Sequence, residues 1–560
     1  MDYILKKYCP RIDFDSYEDF AENFRIDVPD NFNFGYDVVD EWARMEPDKK
    51  ALVWIDDDGD HREFTFTDIS RLSNRIANSF VALGIKKGDV VLSILRRRWE
   101  YWVLASAMCK IGATIVPATI QLTRKDIAYR ANTAEVTAIV CVNDDYVCDQ
   151  TELALAESPT VKHKIVVAGE REGWISFDKL LEEGSEEWVR PTGEAATKLD
   201  DIMLMYFTSG TTGNAKAVMH SYKHPLGHIV TAKYWQQVQE NCLHMSVTDS
   251  GWAKFGWGKI YGQWICGATV FCYDMKKFVP AKLLQVMQDF DLRTFCAPPT
   301  MYRFMLQEDV EKYDLSSIVN FATAGEPLNA DVTIRWERFT GKRIREGFGQ
   351  SEGPALIANF PWVEPHPGSM GKPNPLCHIK LLDDDGREVE DGEEGAICIT
   401  QLKSAYPPGL FVGYCNNPEK TAEAVGGDYY NLHDMAWRDS DGYYSFVGRN
   451  DDVIKCSGYR IGPFEVESAL VAHPAVVECA VTATPDPKGI RGNVVKATIV
   501  LARGYTPSDE LTRELQNHVK RTTAPYKYPR VVEYVDELPK TVGGKIKRKL
   551  IRHNDGVKDE

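Results

Sequence analysis

Apolar positions recur along this chain in two rhythms. Ile69, Leu72, Ile76, Phe80 and Leu83 fall three or four residues apart, which aligns them on one face of a helix. Thr67 or Asp68 can cap its start, and Gly84 ends it. The run VVLSIL (90–95) then reads as a buried strand, residues 101–111 as a second helix stopped by Gly112, and ATIVPA (113–118) as another strand. Similar short apolar runs occupy 137–142, 163–167, 202–207 and 268–272, with helical stretches between them. Alternation of this kind predicts parallel sheets covered by helices on both faces. SIVNFA (317–322) is a further expected strand, running into the helix-start signal ATAGEPLNA (322–330).

Near residue 395 the texture changes. DDDGREVEDGEEGAICIT (383–400) opens a series of short strands and turns that continues to Val447 and predicts a small β-rich subdomain. GRNDDVIK (448–455) is polar and turn-prone. Beyond it EVESALVAH and DELTRELQNHVKRT read as helices, and VVECAVTAT and VVKATIVLA as strands, so a C-terminal domain of about 110 residues has a core of its own. The expected fold is α/β. A large N-terminal domain (1–450) holds two α/β sheet subdomains plus the β-rich one, and a smaller α+β C-terminal domain spans 451–560.

Composition narrows the function classes. A net charge of −16 argues against nucleic acid as a partner and requires any polyanionic ligand to be met by local cations. No apolar run approaches about 18 residues, so no transmembrane helix is expected. The opening MDYILKKYCPRIDFDSYEDF has neither a long apolar segment nor the acid-poor character of a transit peptide. The 13 cysteines include no CxxC pair, so neither a zinc site nor a disulfide framework is indicated. A reducing, cytoplasmic location is the expectation.

Four strings carry chemistry. YFTSGTTGNAKAVMH (206–220) sets Thr208, Ser209, Thr211 and Thr212 around Gly210 and Gly213 and adds the cation Lys216. Glycines let backbone N–H groups face an anion, hydroxyls donate further bonds and Lys supplies charge, which together suit a polyphosphate. Two residues separate the glycines and Ala217 follows Lys216, so this is not the P-loop pattern. The other strings are REGFGQSEGP (345–354), HDMAWRDSDGYYSFVGRNDDVIKCSGYRIGPFEVE (433–467) and LPKTVGGKIKRKLIR (538–552).

These four strings, in this order, resemble the signatures of the adenylate-forming superfamily, which includes acyl-CoA synthetases, luciferases and peptide-synthetase adenylation domains. The resemblance spans about residues 35–552. SGYRIGPFEVESALVAHPAVVECAV and TAPYKYPR look like the medium-chain acyl-CoA synthetase group in particular. The resemblance implies that residues 208–216 grip the β/γ-phosphates of ATP, that Gly325, Glu326 and Pro327 line the adenine, and that Phe348 stacks on it. Glu346, Gly347, Gly349 and Gln350 complete that nucleotide segment. Ser351, where such families usually have Thr, would bond the α-phosphate, and Glu352 would hold Mg²⁺. Asp434 would accept the ribose hydroxyls, Arg449 would contact ribose or phosphate, and Arg460 would serve the active-site face. Asp451 matches the hinge, and Lys545 would stabilise charge at the carboxylate and α-phosphate. Lys547, Arg548 and Lys549 would be solvated or meet coenzyme A phosphates. Ser457, Gly458 and Tyr459 would border the pantetheine channel, with Arg491, Lys520 and Arg530 as cations for coenzyme A.

The implied reaction has two halves: carboxylate plus ATP gives acyl-AMP and pyrophosphate, and the C-terminal domain then rotates so that coenzyme A displaces AMP. The product is an acyl-CoA; a luciferase-like oxygenase, or another adenylating enzyme with a different acceptor, is the alternative. Acetyl-CoA synthetases resemble this chain but carry Trp where Gly349 stands. Gly349 is therefore expected to open a deeper acyl pocket walled by Trp252, Phe255, Trp257 and Ala324, for a medium-chain, branched or aryl acid. The sequence leaves a homo-oligomer open.

Overall fold

In the computed structural model the described residues are 2–208, 215–450, 452–456, 459–487, 493–540 and 546–555, with backbone alone at Lys455, Tyr459 and Arg460. The expectations for Ser209, Gly210, Thr211, Thr212, Gly213, Asp451, Ser457, Gly458, Arg491 and Lys545, and for the side chains of Tyr459 and Arg460, lie outside the described residues.

The amphipathic run 69–83 forms the helix Phe66–Ala82, with Ile69, Ile76 and Phe80 buried. Its cap is Thr65, two or three residues earlier than the expected Thr67 or Asp68. The Thr65 side chain accepts the Asp68 N–H while the Asp68 carboxylate accepts the Thr65 N–H, a reciprocal box in which Asp68 is the inner partner. The helix Glu100–Ile111 is buried along its whole length and ends at Gly112, whose φ of 84° is the left-handed value a helix stop of this type uses.

Among the described residues two large sheets dominate. The first runs in the spatial order Lys372–Pro373, Ile357–Ala358, Ile344–Phe348, Asn320–Thr323, Thr294–Cys296, Leu243–Ser246, Thr269–Asp274, Lys50–Asp56, His61–Thr65. The second runs Gly413–Tyr414, Lys216–Ser221, Ile202–Thr208, Thr114–Pro117, Val90–Ile94, Ala138–Val142, His163–Val167, Ile175–Ser176. Both are parallel in their middles, as the alternation predicts. Their ends differ: Ile202–Thr208 pairs antiparallel with Lys216–Ser221, because the short connection between them cannot make a parallel crossover. One hydrophobic core takes in Leu52, Trp54, Val270 and Cys272 from the first sheet and Val91, Ile115 and Val140 from the second. The buried helix Glu100–Ile111 contributes its residues to that same core, so the two sheets share one interior.

The β-rich part is an antiparallel sheet of Ile379–Leu382, Glu394–Thr400, Tyr429–Arg438 and Tyr444–Arg449. Beyond it Val476–Pro485, Asn493–Leu501 and Val531–Tyr534 form a small mixed sheet, covered by Pro463–Val471 and Asp509–Thr522 over a separate core. The architecture is the α/β arrangement expected from the sequence: a large multi-sheet N-terminal region and a smaller C-terminal one.

Candidate active site

The hairpin of Ile202–Thr208 and Lys216–Ser221 places Thr208 directly opposite Lys216. Two anchors fix the hairpin beside its tip. Tyr129 donates its hydroxyl to the Ala215 carbonyl at 2.9 Å, and Gly413–Tyr414 adds a two-residue strand along Lys216–Ser221, pairing Tyr414 with Val218. Tyr414 thereby stands beneath Lys216, whose Nζ lies 5.0 Å from the ring centroid, a cation–π distance.

The Tyr414 hydroxyl reaches the other way, donating to Glu352 Oε1 at 3.3 Å. Burial raises the proton affinity of the Glu352 carboxyl; the Tyr414 bond and the Lys216 charge lower it, and nearby Asp434 raises it. Lys216, Tyr414 and Glu352 thus form a line from the hairpin to the GFGQSEGP loop. Among the described residues no three His, Cys, Asp or Glu side chains converge on a metal position. Among the described residues Glu352 is the carboxylate beside Lys216 and Tyr414. That fits an ion completed by substrate phosphates and water, as Mg²⁺ prefers, and not an all-protein cage.

Gln350 joins the loop to the β-rich sheet. Its amide donates to the Leu432 carbonyl and to Asp434 Oδ2, both at 2.7 Å, and its carbonyl oxygen accepts the Tyr430 hydroxyl at 3.3 Å. Asp434 is buried and faces Arg449 across the antiparallel pair Tyr429–Arg438 and Tyr444–Arg449. Phe348 is half-buried, 6.1 Å from Phe446.

The expected adenine wall follows the strand Asn320–Thr323. Gly325 has a φ of 98° with open space where a side chain would stand, so its backbone can face a ligand closely. Glu326 is held by the Thr300 hydroxyl at 2.7 Å, and Pro327 is half-buried. Glu346 is fully enclosed behind this wall: its carboxylate accepts the Leu328 N–H at 3.2 Å, and burial pushes its pKa up to about 8. It supports the wall from behind, where the sequence reading had grouped it with the nucleotide contacts. The wall also touches the C-terminal region, since Asn329 donates its side-chain amide to the Ser468 carbonyl at 3.2 Å.

The acyl-pocket expectation needs correcting. A Cβ at Gly349 would stand 2.6 Å from the Pro354 carbonyl oxygen and closer still to the Trp257 indole. Glycine is required there because Trp257 already fills the volume, so its absence of side chain does not by itself open space. Gly347 is pressed in the same way by Trp235. The ring of Phe255 is fully buried against Tyr101 (4.7 Å) and Trp102 (5.0 Å), inside the shared core. Trp252 is partly exposed at the start of the helix Ala253–Gly258, and Ala324 is buried, its carbonyl accepting the Lys254 ammonium at 2.9 Å. The close approach of Trp257 and Gly349 depends on residues about ninety positions apart, which no local pattern reveals.

In the C-terminal region, Tyr528 lies between two cations, 4.0 Å from Lys520 Nζ and 4.9 Å from the Arg530 guanidinium. Arg530 also reaches the Cys456 sulfur at 3.9 Å, and Tyr528 brings two of the three expected coenzyme A cations together. Arg548 departs from the expectation of a solvated cation or coenzyme A contact. It makes a forked pair with the buried Glu467, Nη2 to both carboxylate oxygens at 2.8 Å, while Glu467 also accepts the Val481 N–H. Nearby Arg552 donates to Asp452 at 2.5 Å. These pairs fasten the segment that follows Lys545 onto the start of the C-terminal region.

Comparison with known proteins extends this picture. A family model described as AMP-binding enzyme matches residues 39–414, and its C-terminal domain model matches 465–545. The mouse acyl-coenzyme A synthetase ACSM3, mitochondrial, is 40% identical over 97% of this chain and 94% of its own. Among solved structures, the anthranilate CoA ligase AuaEII in complex with anthranoyl-AMP is 28% identical with a TM-score of 0.85, covering 94% of this chain and 98% of that one. A benzoate CoA ligase from Burkholderia xenovorans is 26% identical with a TM-score of 0.80, covering 93% and 100%.

Proposed function

This chain belongs to the AMP-binding enzyme family, and from that premise we infer that it is an AMP-forming acyl-CoA synthetase, an acid–thiol ligase acting on a medium-chain or aryl acid. The observation that carries the reading is the line Lys216–Tyr414–Glu352 meeting the Gln350–Asp434 contact at one site. A cation stands on one side, a carboxylate suited to Mg²⁺ in the middle, and a carboxylate suited to the ribose beyond. Such an arrangement positions ATP and neutralises its phosphates, which is most of what phosphoryl-centred chemistry asks of a protein.

In the first half-reaction a carboxylate oxygen attacks the α-phosphorus, and pyrophosphate leaves with the electron pair of the broken P–O bond. Mg²⁺, when bound at Glu352, would offset phosphate charge. Lys216 holds the phosphates being released, and Lys545 is assigned to charge at the α-phosphate. In the second half the sulfur of coenzyme A attacks the acyl carbon and AMP departs. The cations around Tyr528, one of them reaching Cys456, suit the phosphates of that substrate. We assign the 1–450 and 451–560 division, with rotation about Asp451, to the switch between the halves. All 13 cysteines are free thiols, compatible with the cytoplasm and equally with the mitochondrial setting in the mouse relative's name.

A panel of carboxylic acids, scored for pyrophosphate release with and without coenzyme A, tests the activity. Thioester formation on medium-chain or aryl acids is expected; oxygen uptake with light output would favour the luciferase-like alternative. Lys545→Ala should abolish acyl-AMP formation yet largely spare thioester formation from supplied acyl-AMP. Equal loss of both would remove that lysine from its step.

A further inference from the structure

Three histidines stand in a row behind the GFGQSEGP loop. His220 lies in the strand Lys216–Ser221, and His224 and His228 one turn apart in the helix His224–Ile229; all three are buried. Successive ring centroids are 4.0 and 4.5 Å apart. Tyr206 faces His220, and Tyr261 faces the other two; these tyrosines and the imidazoles themselves are the titratable groups in ring contact with the row.

Each imidazole is enclosed and therefore neutral at physiological pH, burial holding His220 down at about 4 and His228 at about 3. Neutral rings carry one proton each, and their partners decide where it sits. His220 Nε2 lies 2.8 Å from the Ser351 carbonyl, so that nitrogen donates. His224 Nδ1 lies 3.2 Å from the Gly409 carbonyl and must donate, leaving its Nε2 bare. The 3.1 Å contact between the two Nε2 atoms then makes His228 the donor. His228 Nδ1 is bare in turn and accepts the Thr231 hydroxyl at 3.2 Å, while Thr231 Oγ1 accepts the Ala355 N–H at 3.2 Å. Every proton position follows from the two carbonyls.

The row touches only backbone of the segments that carry the site: Ser351 and Ala355 on either side of Glu352, and Gly409 two residues before Phe411, whose N–H donates to the Glu352 carbonyl at 2.7 Å. The helix reaches that second segment because a Cβ at Gly227 would stand 2.6 Å from Gly409 Cα. We propose that His220, His224, His228 and Thr231 are positioning residues that clasp the 349–355 loop and so set Ser351 and Glu352 for adenylation. The clasp has one proton arrangement. A second proton on His224 would aim an N–H at His228 Nε2 and force His228 to carry its own proton on Nδ1, toward Thr231.

The proposal rests on the adenylation reading, and its test separates the two. Thr231→Val removes the hydroxyl and keeps the shape; Thr231→Ser restores it. Pyrophosphate release should fall about tenfold in kcat for Thr231→Val and return to within about twofold for Thr231→Ser, a barrier change of the size one lost buried hydrogen bond produces. Thioester formation from supplied acyl-AMP should stay within about twofold of the wild type. His224→Asn, whose shorter amide can keep the Gly409 bond but places no acceptor at the Nε2 position that His228 meets, should repeat the pattern and serves if Thr231→Val does not fold. Parallel loss of both half-reactions, no loss in either, or a serine variant no better than valine would overturn the clasp. If the wild type releases no pyrophosphate with any acid, the functional reading fails instead. Calorimetric affinity for Mg·ATP then judges the clasp: several-fold weakening in the variants supports it, unchanged affinity overturns it.

Discussion

Gly349 and Trp257 occupy one volume between them, and this can be measured as a coupling. Gly349→Ala adds a methyl that meets the Trp257 indole on one side and the Pro354 carbonyl at 2.6 Å on the other. Overpacking of this kind costs about 1–3 kcal/mol. In a Trp257→Ala background the indole is gone but the carbonyl remains, so the methyl should cost about 1 kcal/mol less without becoming free. Urea midpoints of the wild type, both single variants and the double variant give the coupling. The same proteins report on specificity: Trp257→Ala empties an indole's volume beside the loop, and the acid panel should shift toward longer chains. Each newly buried methylene, at about 0.8 kcal/mol, raises kcat/KM by about fourfold. Strict additivity of the two substitutions would show that the indole does not hold the space. An unchanged chain-length profile for Trp257→Ala would remove it from the acyl pocket.

Three further outcomes are expected. Glu346→Gln keeps the acceptor for Leu328 but cannot ionise. The wild-type carboxyl, with a folded pKa near 8 against about 4.3 unfolded, contributes stability that is full below pH 4.3 and lost as pH rises toward 8. The variant should therefore gain on the wild type across that window in denaturant titrations, and a pH-independent gap would refute the buried-acid account. Tyr414→Phe keeps the ring under Lys216 and deletes the bond that favours ionised Glu352, so the acid limb of pyrophosphate release should move to higher pH; a limb that stays put would free Glu352 from that control. Arg548→Met strands the buried Glu467 carboxylate, a loss of about 3–5 kcal/mol that limited proteolysis should register in the C-terminal region before the N-terminal one.

Much of the fold was legible because buried parallel strands and amphipathic helices write themselves into short windows. The runs at 90–95, 137–142 and 163–167 became Val90–Ile94, Ala138–Val142 and His163–Val167 within a residue or so. The strings carrying Lys216, Glu352 and Asp434 stand out in the sequence as dense local patterns, and the structure brings these three residues near one another. The remainder depended on approach between distant segments. Tyr414 had no motif around it, yet it links Lys216 to Glu352. Gly349 invited a local argument about missing volume, whereas Trp257 from another helix settles that volume. Arg548 read as one more charge in a basic tail, and only Glu467, some eighty residues earlier, makes it an anchor.

The two-residue strand Gly413–Tyr414 also sets a rule for recombination. The Lys216–Tyr414–Glu352 line is assembled by backbone pairing of residue 414 with residue 218, so the Lys216 and Tyr414 halves arrive from stretches almost two hundred positions apart. A chimera of two relatives with its crossover anywhere between them takes the cation from one parent and its aromatic floor from the other. Crossovers before the hairpin or after Tyr414 inherit the pair whole, and these are the breakpoints at which shuffled descendants of this chain should keep an intact phosphate grip.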